Sequence, residues 1–332
     1  MRIGFPRALV FFYFYPLWKT FFNELGIEVV LSNQSSVSLL HQGVRSAIPE
    51  ICVPIKMFTG HVWNLLEQDV DYIFIPRLMN VEKDASFCPK FLGLPEMIRY
   101  TIPEVEGRIL CPDIQASNEK MDRVSDYKSF RDILGVDMKM IRKALRKASE
   151  VWDRFREFCY KGYTVTEASA LALGELTESQ VDICQDCDIK IGLLGYVYNI
   201  YDPLIGMDIV QKMRKRGVYV KTFEMVHDRI IEKKIQSVKK PLFWTFTNKL
   251  WGAADHFYQD HDIDGLIHVT AFGCGPDSLL GKIIELDSDE FCKPLMTIRV
   301  DEHTGESHLE TRIEAFIDMI RRKKNKERGV GA

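Results

Sequence analysis

The feature that most constrains this chain is an alternation of strand and helix patterns that runs once from the N-terminus and then begins again past the middle. Arg2 to Phe5 is a short apolar strand, Leu17 to Leu25 a helical pattern closed by Gly26, and Ile27 to Leu31 a β-branched strand. Ser36 to Ala47 and Met57 to Leu66 have helical spacing, and Asp71-Tyr-Ile-Phe-Ile-Pro76 is a strand stopped by proline. Parallel neighbours need a crossover of a dozen or more residues, so this spacing predicts an α/β fold with parallel sheets flanked by helices. From Met138 to Phe158, Ile141, Leu145, Ala148, Trp152, Phe155 and Phe158 recur every three or four positions, which is one long amphipathic helix. After Asp188 the grammar restarts: strand Ile189 to Leu194, helix Asp208 to Lys215, strand Val218 to Thr222, and further pairs to a last helix from His308 to about Lys323. The expected organisation is an N-terminal Rossmann-like domain over 1–135, a helical linker over 136–184 and a C-terminal Rossmann-like domain over 185–332. The expected ligand site is the cleft between them.

The chain has 332 residues, 46% of them apolar, enough for two cores of ordinary size. Its formal net charge of -3 gives no compositional support for nucleic-acid binding. The apolar stretch near the N-terminus is bracketed by Arg7, Pro16 and Lys19 and is too short to span a bilayer. No small-residue cleavage site follows it, so neither membrane insertion nor secretion is expected and the cytoplasm is the expected compartment. Eight cysteines in a reducing compartment should be thiols, open to metal or redox work.

Three of them share a context. Cys52 precedes Pro54 at a helix start, Cys88 stands directly before Pro89, and Phe272-Gly-Cys274-Gly-Pro276-Asp277-Ser278 leads from a strand into a helix. Proline favours the first helical turn, so each cysteine falls at a helix N-terminus, where unpaired N–H groups and a partial positive charge favour thiolate. Gly273 and Gly275, with Ser278 beyond them, would let a bulky group approach the backbone closely. Cys52, Cys88 and Cys274 are therefore expected to ligate one [4Fe-4S] cluster in the cleft, with Cys111, in Leu110-Cys-Pro112, the candidate for a fourth ligand. Three ligands leave an iron open. A double-cubane cluster is less favoured, because six cysteines would have to converge. Cys184 and Cys187 form a CxxC without a partner pair, a weak metal signal and a possible redox pair, whereas Cys159 and Cys292 are expected to be structural.

Asp301-Glu302-His303-Thr-Gly-Glu306-Ser307 follows the last strand, which puts Glu302, His303 and Glu306 forward as proton donors beside the cluster. Ser307 with Glu310 also fits a helix capping box, which accounts for part of the motif without catalysis. His61 is expected to pack, and Gly195-Tyr-Val-Tyr198-Asn-Ile-Tyr-Asp-Pro203 reads equally well as a crevice wall or a turn. There is neither a G-x-x-x-x-G-K-[ST] run nor a G-x-G-x-x-G after the first strand, so no ATP or dinucleotide site is visible.

The blocks IGFPRAL, CVPIKMFTGHV, DYIFIPR, CPKFLGLPEMIR, GYVYNIYDP, FGCGPDSLL and DEHTGESHLE together resemble the acyl-CoA dehydratase activase-related proteins, relatives of the 2-hydroxyacyl-CoA dehydratase and benzoyl-CoA reductase iron-sulfur subunits. The resemblance covers nearly the whole chain. It implies paired Rossmann-like domains holding an iron-sulfur cluster through Cys52, Cys88 and Cys274. It also implies an ATP-hydrolysing activator that delivers an electron, and a CoA thioester or other small molecule as substrate. Tyr196 stands where that family is expected to carry histidine after the glycine. The leading expectation is the electron-accepting component of an ATP-dependent reductase or dehydratase system, as a homodimer or with a related subunit. The alternatives are a non-catalytic electron-transfer or scaffold subunit, a double-cubane reductase, and an α/β protein that binds a CoA-like ligand beside ordinary buried thiols.

Overall fold

A computed structural model describes residues 1–183, 187–327 and 329. The first part contains β1 (Arg2–Phe5), α1 (Phe11–Glu24), β2 (Glu28–Leu31), α2 (Val37–Ser46), α3 (Val53–Leu66), β3 (Tyr72–Phe74), β4 (Arg77–Asn80), α4 (Pro89–Leu92), α5 (Leu94–Thr101), β5 (Ile109–Leu110) and β6 (Asp113–Gln115). Helices α6 (Lys128–Leu134), α7 (Met138–Tyr160) and α8 (Val165–Ala172) follow. The remainder is β7 (Ile189–Gly195), α9 (Val197–Tyr201), α10 (Ile209–Arg214), β8 (Val218–Thr222), α11 (Asp228–Ser237), α12 (Thr245–Gln259), β9 (Gly265–Ala271), α13 (Gly275–Phe291), β10 (Leu295–Val300) and α14 (Glu306–Glu327).

The strands form two four-stranded parallel sheets, ordered β2-β1-β3-β5 and β10-β9-β7-β8, and a parallel pair β4-β6. β9 is buried along its whole length and β7 at all but Lys190, the signature of strands covered by helices on both faces. The mixed α/β fold expected from the pattern is therefore the fold observed. Among the described residues, no helix is long and apolar enough to cross a membrane.

Two local features bear on the site, and the first differs from the sequence reading. α1 begins at Phe11, six residues before the expected start, and carries Pro16 in its interior. The missing proline amide is tolerated because the apolar run before it is held from outside the helix: Tyr13 and Phe14 pack on Trp152 of α7 at 5.2 and 5.3 Å between ring centroids. Tyr13 also meets Phe223 and Phe246 at 6.2 and 5.7 Å, so one aromatic seam joins α1 and α7 to the turn after β8 and the start of α12. Secondly, α2 and α3 approach so closely that a Cβ on Gly43 would lie 1.8 Å from the Lys56 carbonyl oxygen, and one on Gly60 2.0 Å from that of Leu39. That crossing fixes the N-terminus of α3, and with it Cys52.

Candidate functional site

Cys52, Cys88 and Cys274 are the N-cap residues of α3, α4 and α13, each with proline in the first helical turn, as Cys-x-Pro or Cys-Pro dictates. All three line one cavity of about 170 Å³. Cys274 arrives from the carboxyl end of β9 through Gly273, whose φ of +74° suits glycine. A Cβ on Gly273 would lie 3.7 Å from the Glu50 carbonyl oxygen, which places the turn before α13 against the turn before α3. The loop after β7 supplies Tyr196 and Tyr198, with rings 5.4 Å apart, and the Tyr196 hydroxyl lies 2.7 Å from Thr247 Oγ1. Thus the cavity sits at the carboxyl ends of β7 and β9, where parallel sheets leave a crevice.

The walls are apolar and aromatic. Phe87 packs edge-on to Phe246 at 5.6 Å, Phe91 approaches Tyr198 at 6.2 Å, and Trp244 completes the rim. Among the described residues, Lys90 is the one charged residue on the lining. Burial pushes the Cys88 thiol up, against the pull of the Phe91 and Lys90 amides. It pushes Cys274 up to about 12, with the Asp277 carboxylate adding to the effect. Tyr196 and Tyr198 are likewise raised well above the phenol range by burial. At neutral pH this wall therefore presents neutral S–H and O–H groups, suited to an apolar ligand with few polar atoms.

The other candidates fall elsewhere. Gly273 and Gly275 border the cavity, but Ser278 turns inward on its own helix, donating from Oγ to the Cys274 carbonyl at 2.7 Å. Cys111 follows β5, off the cavity lining; burial raises its thiol while Arg77 opposes the shift. Cys159 is wholly buried in α7 and Cys292 is exposed beyond α13. Cys184 lies outside the described residues, so the CxxC it forms with Cys187 does too.

Glu302, His303 and Glu306 do not reach the cavity lining. Glu302 pairs with Lys56, a nearly buried lysine in the first turn of α3; burial works against its charge, but Lys56 prevails and holds the carboxyl low. Glu306 pairs with Lys212 of α10, which lowers its carboxyl. His303 is exposed, and its backbone amide donates to Asp301 Oδ1 at 2.9 Å. The Thr304 hydroxyl also donates to Asp301 Oδ1, at 2.8 Å, and this turn starts α14 at Glu306, so Ser307 lies inside the helix and is not its N-cap. The motif read as proton donors thus ties its loop to α3 and α10.

His61 is buried in a hydrogen-bonded chain: Ser32 Oγ lies 2.8 Å from Nδ1, Ser35 Oγ 2.9 Å from Nε2, and Ser35 Oγ donates to Asp202 Oδ2 at 2.6 Å. Burial lowers His61 to about 3 and raises Asp202 to about 6. The chain joins α3 to the turn after α9. The sequence reading missed the wall given by Trp244, Thr245, Phe246 and Thr247 at the start of α12. Its signal was the aromatic run Pro241-Leu-Phe-Trp-Thr-Phe246 ahead of a helical pattern.

A family model described as CoA enzyme activase uncharacterised domain (DUF2229) matches residues 2–226, more than half of the chain. No curated protein matches. These findings correct the expectation of an iron-sulfur electron acceptor. The family is that of an activase, which puts the chain with the activator of a CoA enzyme and not with the component that accepts its electron. Moreover, among the described residues no group of three or more His, Cys, Asp or Glu side chains is arranged to hold a metal ion. Cys52, Cys88 and Cys274 border one cavity, but bordering a cavity is a looser condition than pointing at one coordination centre. The iron-sulfur, electron-transfer and reductase assignments fall with that expectation.

Proposed function

The chain belongs to the CoA enzyme activase family, and we propose that it takes part in activating an enzyme that works on coenzyme A thioesters, with the thiol-lined cavity as its ligand site. One observation carries this reading: three cysteine-capped helices and an aromatic wall converge on one apolar cavity at the carboxyl ends of β7 and β9. The phosphates and adenine of coenzyme A would find only Lys90 there, whereas the acyl end of a thioester matches the apolar walls and the neutral thiols. Since thiols held protonated are poor nucleophiles, the cavity is built for binding rather than acyl transfer. The blocks FGCGPDSLL and DEHTGESHLE support a dehydratase or reductase of the 2-hydroxyacyl-CoA or benzoyl-CoA kind as the enzyme served. Cys52, Cys88, Cys111, Cys159, Cys274 and Cys292 are all thiols, which supports the cytoplasm as the compartment.

The test is a titration of the whole chain with butyryl-CoA and, separately, with free coenzyme A, following the fluorescence of Trp244 against a Trp244→Phe background. Butyryl-CoA should give a saturable change, free coenzyme A a change at least about tenfold weaker, the apolar area of a buried propyl group being worth more than 1.4 kcal/mol. Equal responses to the two, or no response, would overturn the reading. Filling the cavity with Thr247→Phe should abolish the butyryl-CoA response while far-ultraviolet circular dichroism stays unchanged.

A further inference from the structure

A second cavity, of about 100 Å³, lies off the thiol-lined one, between α13 and the strands β9 and β10. Its lining includes three buried residues whose polar atoms have no hydrogen-bond partner: His268 Nδ1, Thr270 Oγ1 and Asp277 Oδ2. His268 and Asp277 are fully buried and Thr270 is 6% exposed. Three unpartnered polar groups around one small space are costly to leave unmet, on the order of 1–3 kcal/mol each.

The donor and acceptor pattern of the floor follows from one bond. His268 Nε2 stands 3.0 Å from Asp277 Oδ1, and a carboxylate can only accept, so Nε2 carries a proton, and the neutral imidazole of that tautomer offers a lone pair at Nδ1. The floor therefore presents two acceptors, Nδ1 and Oδ2, and one hydroxyl, Thr270. Gly281 keeps Nδ1 clear: a Cβ there would sit 3.3 Å from His268 Cε1 and 3.4 Å from Nδ1. The remaining wall carries the Lys282–Glu285 pair, at 3.0 Å and neutral as a pair, and Arg299, which is exposed and makes no ion pair among the described residues, so the net positive charge of the wall is that of Arg299.

The geometry points to a binding site for a small protic oxyanion, one that carries both O–H donors and anionic oxygens, of the dihydrogen phosphate type. Two P–OH groups match the two acceptors of the floor, and the two unprotonated oxygens, which share one negative charge, match the Thr270 hydroxyl and the Arg299 guanidinium. A water molecule would satisfy the floor but would offer the arginine no charge. Sulfate is a tetrahedral anion of similar size, but it is a dianion with no proton at neutral pH to give Nδ1 or Oδ2, so it meets two acceptors with two more.

Isothermal titration of the full chain with inorganic phosphate at pH 6.5, and with sulfate in a matched run, tests this. Saturable phosphate binding in the millimolar range or tighter is expected, with sulfate at least about tenfold weaker. Arg299→Gln, a change at an exposed residue, should weaken phosphate about tenfold or more. Gly281→Leu should abolish binding by filling the space beside Nδ1, with phosphate-dependent thermal protection lost in the same variant. No saturable phosphate binding, equal affinity for sulfate, or full affinity in Arg299→Gln would each overturn the assignment.

Discussion

The protonation of the cavity wall can be read out residue by residue through Cys274. Its thiol is pushed up to about 12 by burial and by Asp277, whereas an ordinary thiol titrates near 8.5, so at pH 8 about a quarter of an ordinary thiol is thiolate against roughly one part in ten thousand of Cys274. Since nucleophilicity rises with pKa at a Brønsted slope of about 0.4–0.5, about one and a half decades of that deficit return, leaving a net slowing of about a hundredfold. A cysteine-containing model peptide in the same solution serves as the reference. Pulsed alkylation with iodoacetamide, quantified by peptide mass spectrometry from pH 7 to 10, should show Cys274 about a hundredfold slower than the model peptide at pH 8. Its rate should climb tenfold per pH unit through the entire range, while the reference levels off. Steric shielding of an ordinary thiol would slow Cys274 but leave its profile levelling off like the reference. Alkylation within tenfold of the model peptide at pH 8, or levelling of the Cys274 rate below pH 10, would refute the neutral-thiol wall and the binding role that rests on it.

Two further outcomes concern stability. Glu224 is wholly buried after β8 and burial raises its carboxyl to about 7. The native state therefore binds its proton more tightly than the unfolded chain, and the group's contribution is present below about 4.5 and lost as pH rises toward 7. Glu224→Gln should consequently gain about 2–3 kcal/mol at pH 8 relative to its effect at pH 4.5, measured as the difference in urea midpoints; an equal effect at both pH values would show the carboxyl to be ionised in the fold. At the α2–α3 crossing, Gly60→Ala places a methyl 2.0 Å from the Leu39 carbonyl oxygen, so the helices must separate. We expect a loss of about 1–3 kcal/mol or more, together with faster alkylation of Cys52 as α3 shifts, and an unchanged denaturation midpoint would contradict the contact.

Local signals explain what could be read from the sequence. Proline after cysteine fixes a helix start within two or three residues, so Cys52, Cys88 and Cys274 at N-caps were legible, as was the parallel α/β architecture from the spacing of strands and helices. By contrast, the partners of Glu302 and Glu306 were not. Lys56 lies 246 positions from Glu302 and Lys212 lies 94 from Glu306, and ion pairing at such separations leaves no periodicity behind. An acidic motif after a strand then looks the same whether it donates protons or anchors a loop. The same limit acts at the thiols. A cysteine at a helix N-terminus should be acidified, and nearby amides do pull on Cys88, but burial outweighs them, and the burial comes from Tyr196, Tyr198 and the Trp244–Phe246 segment brought in by the fold. Without that aromatic wall, three helix termini suggest a bed for anionic sulfur. With it, Cys88 and Cys274 are held as neutral thiols around an apolar space. The choice between those chemistries therefore belongs to the residues that close the cavity, more than to the cysteines that first drew notice to it.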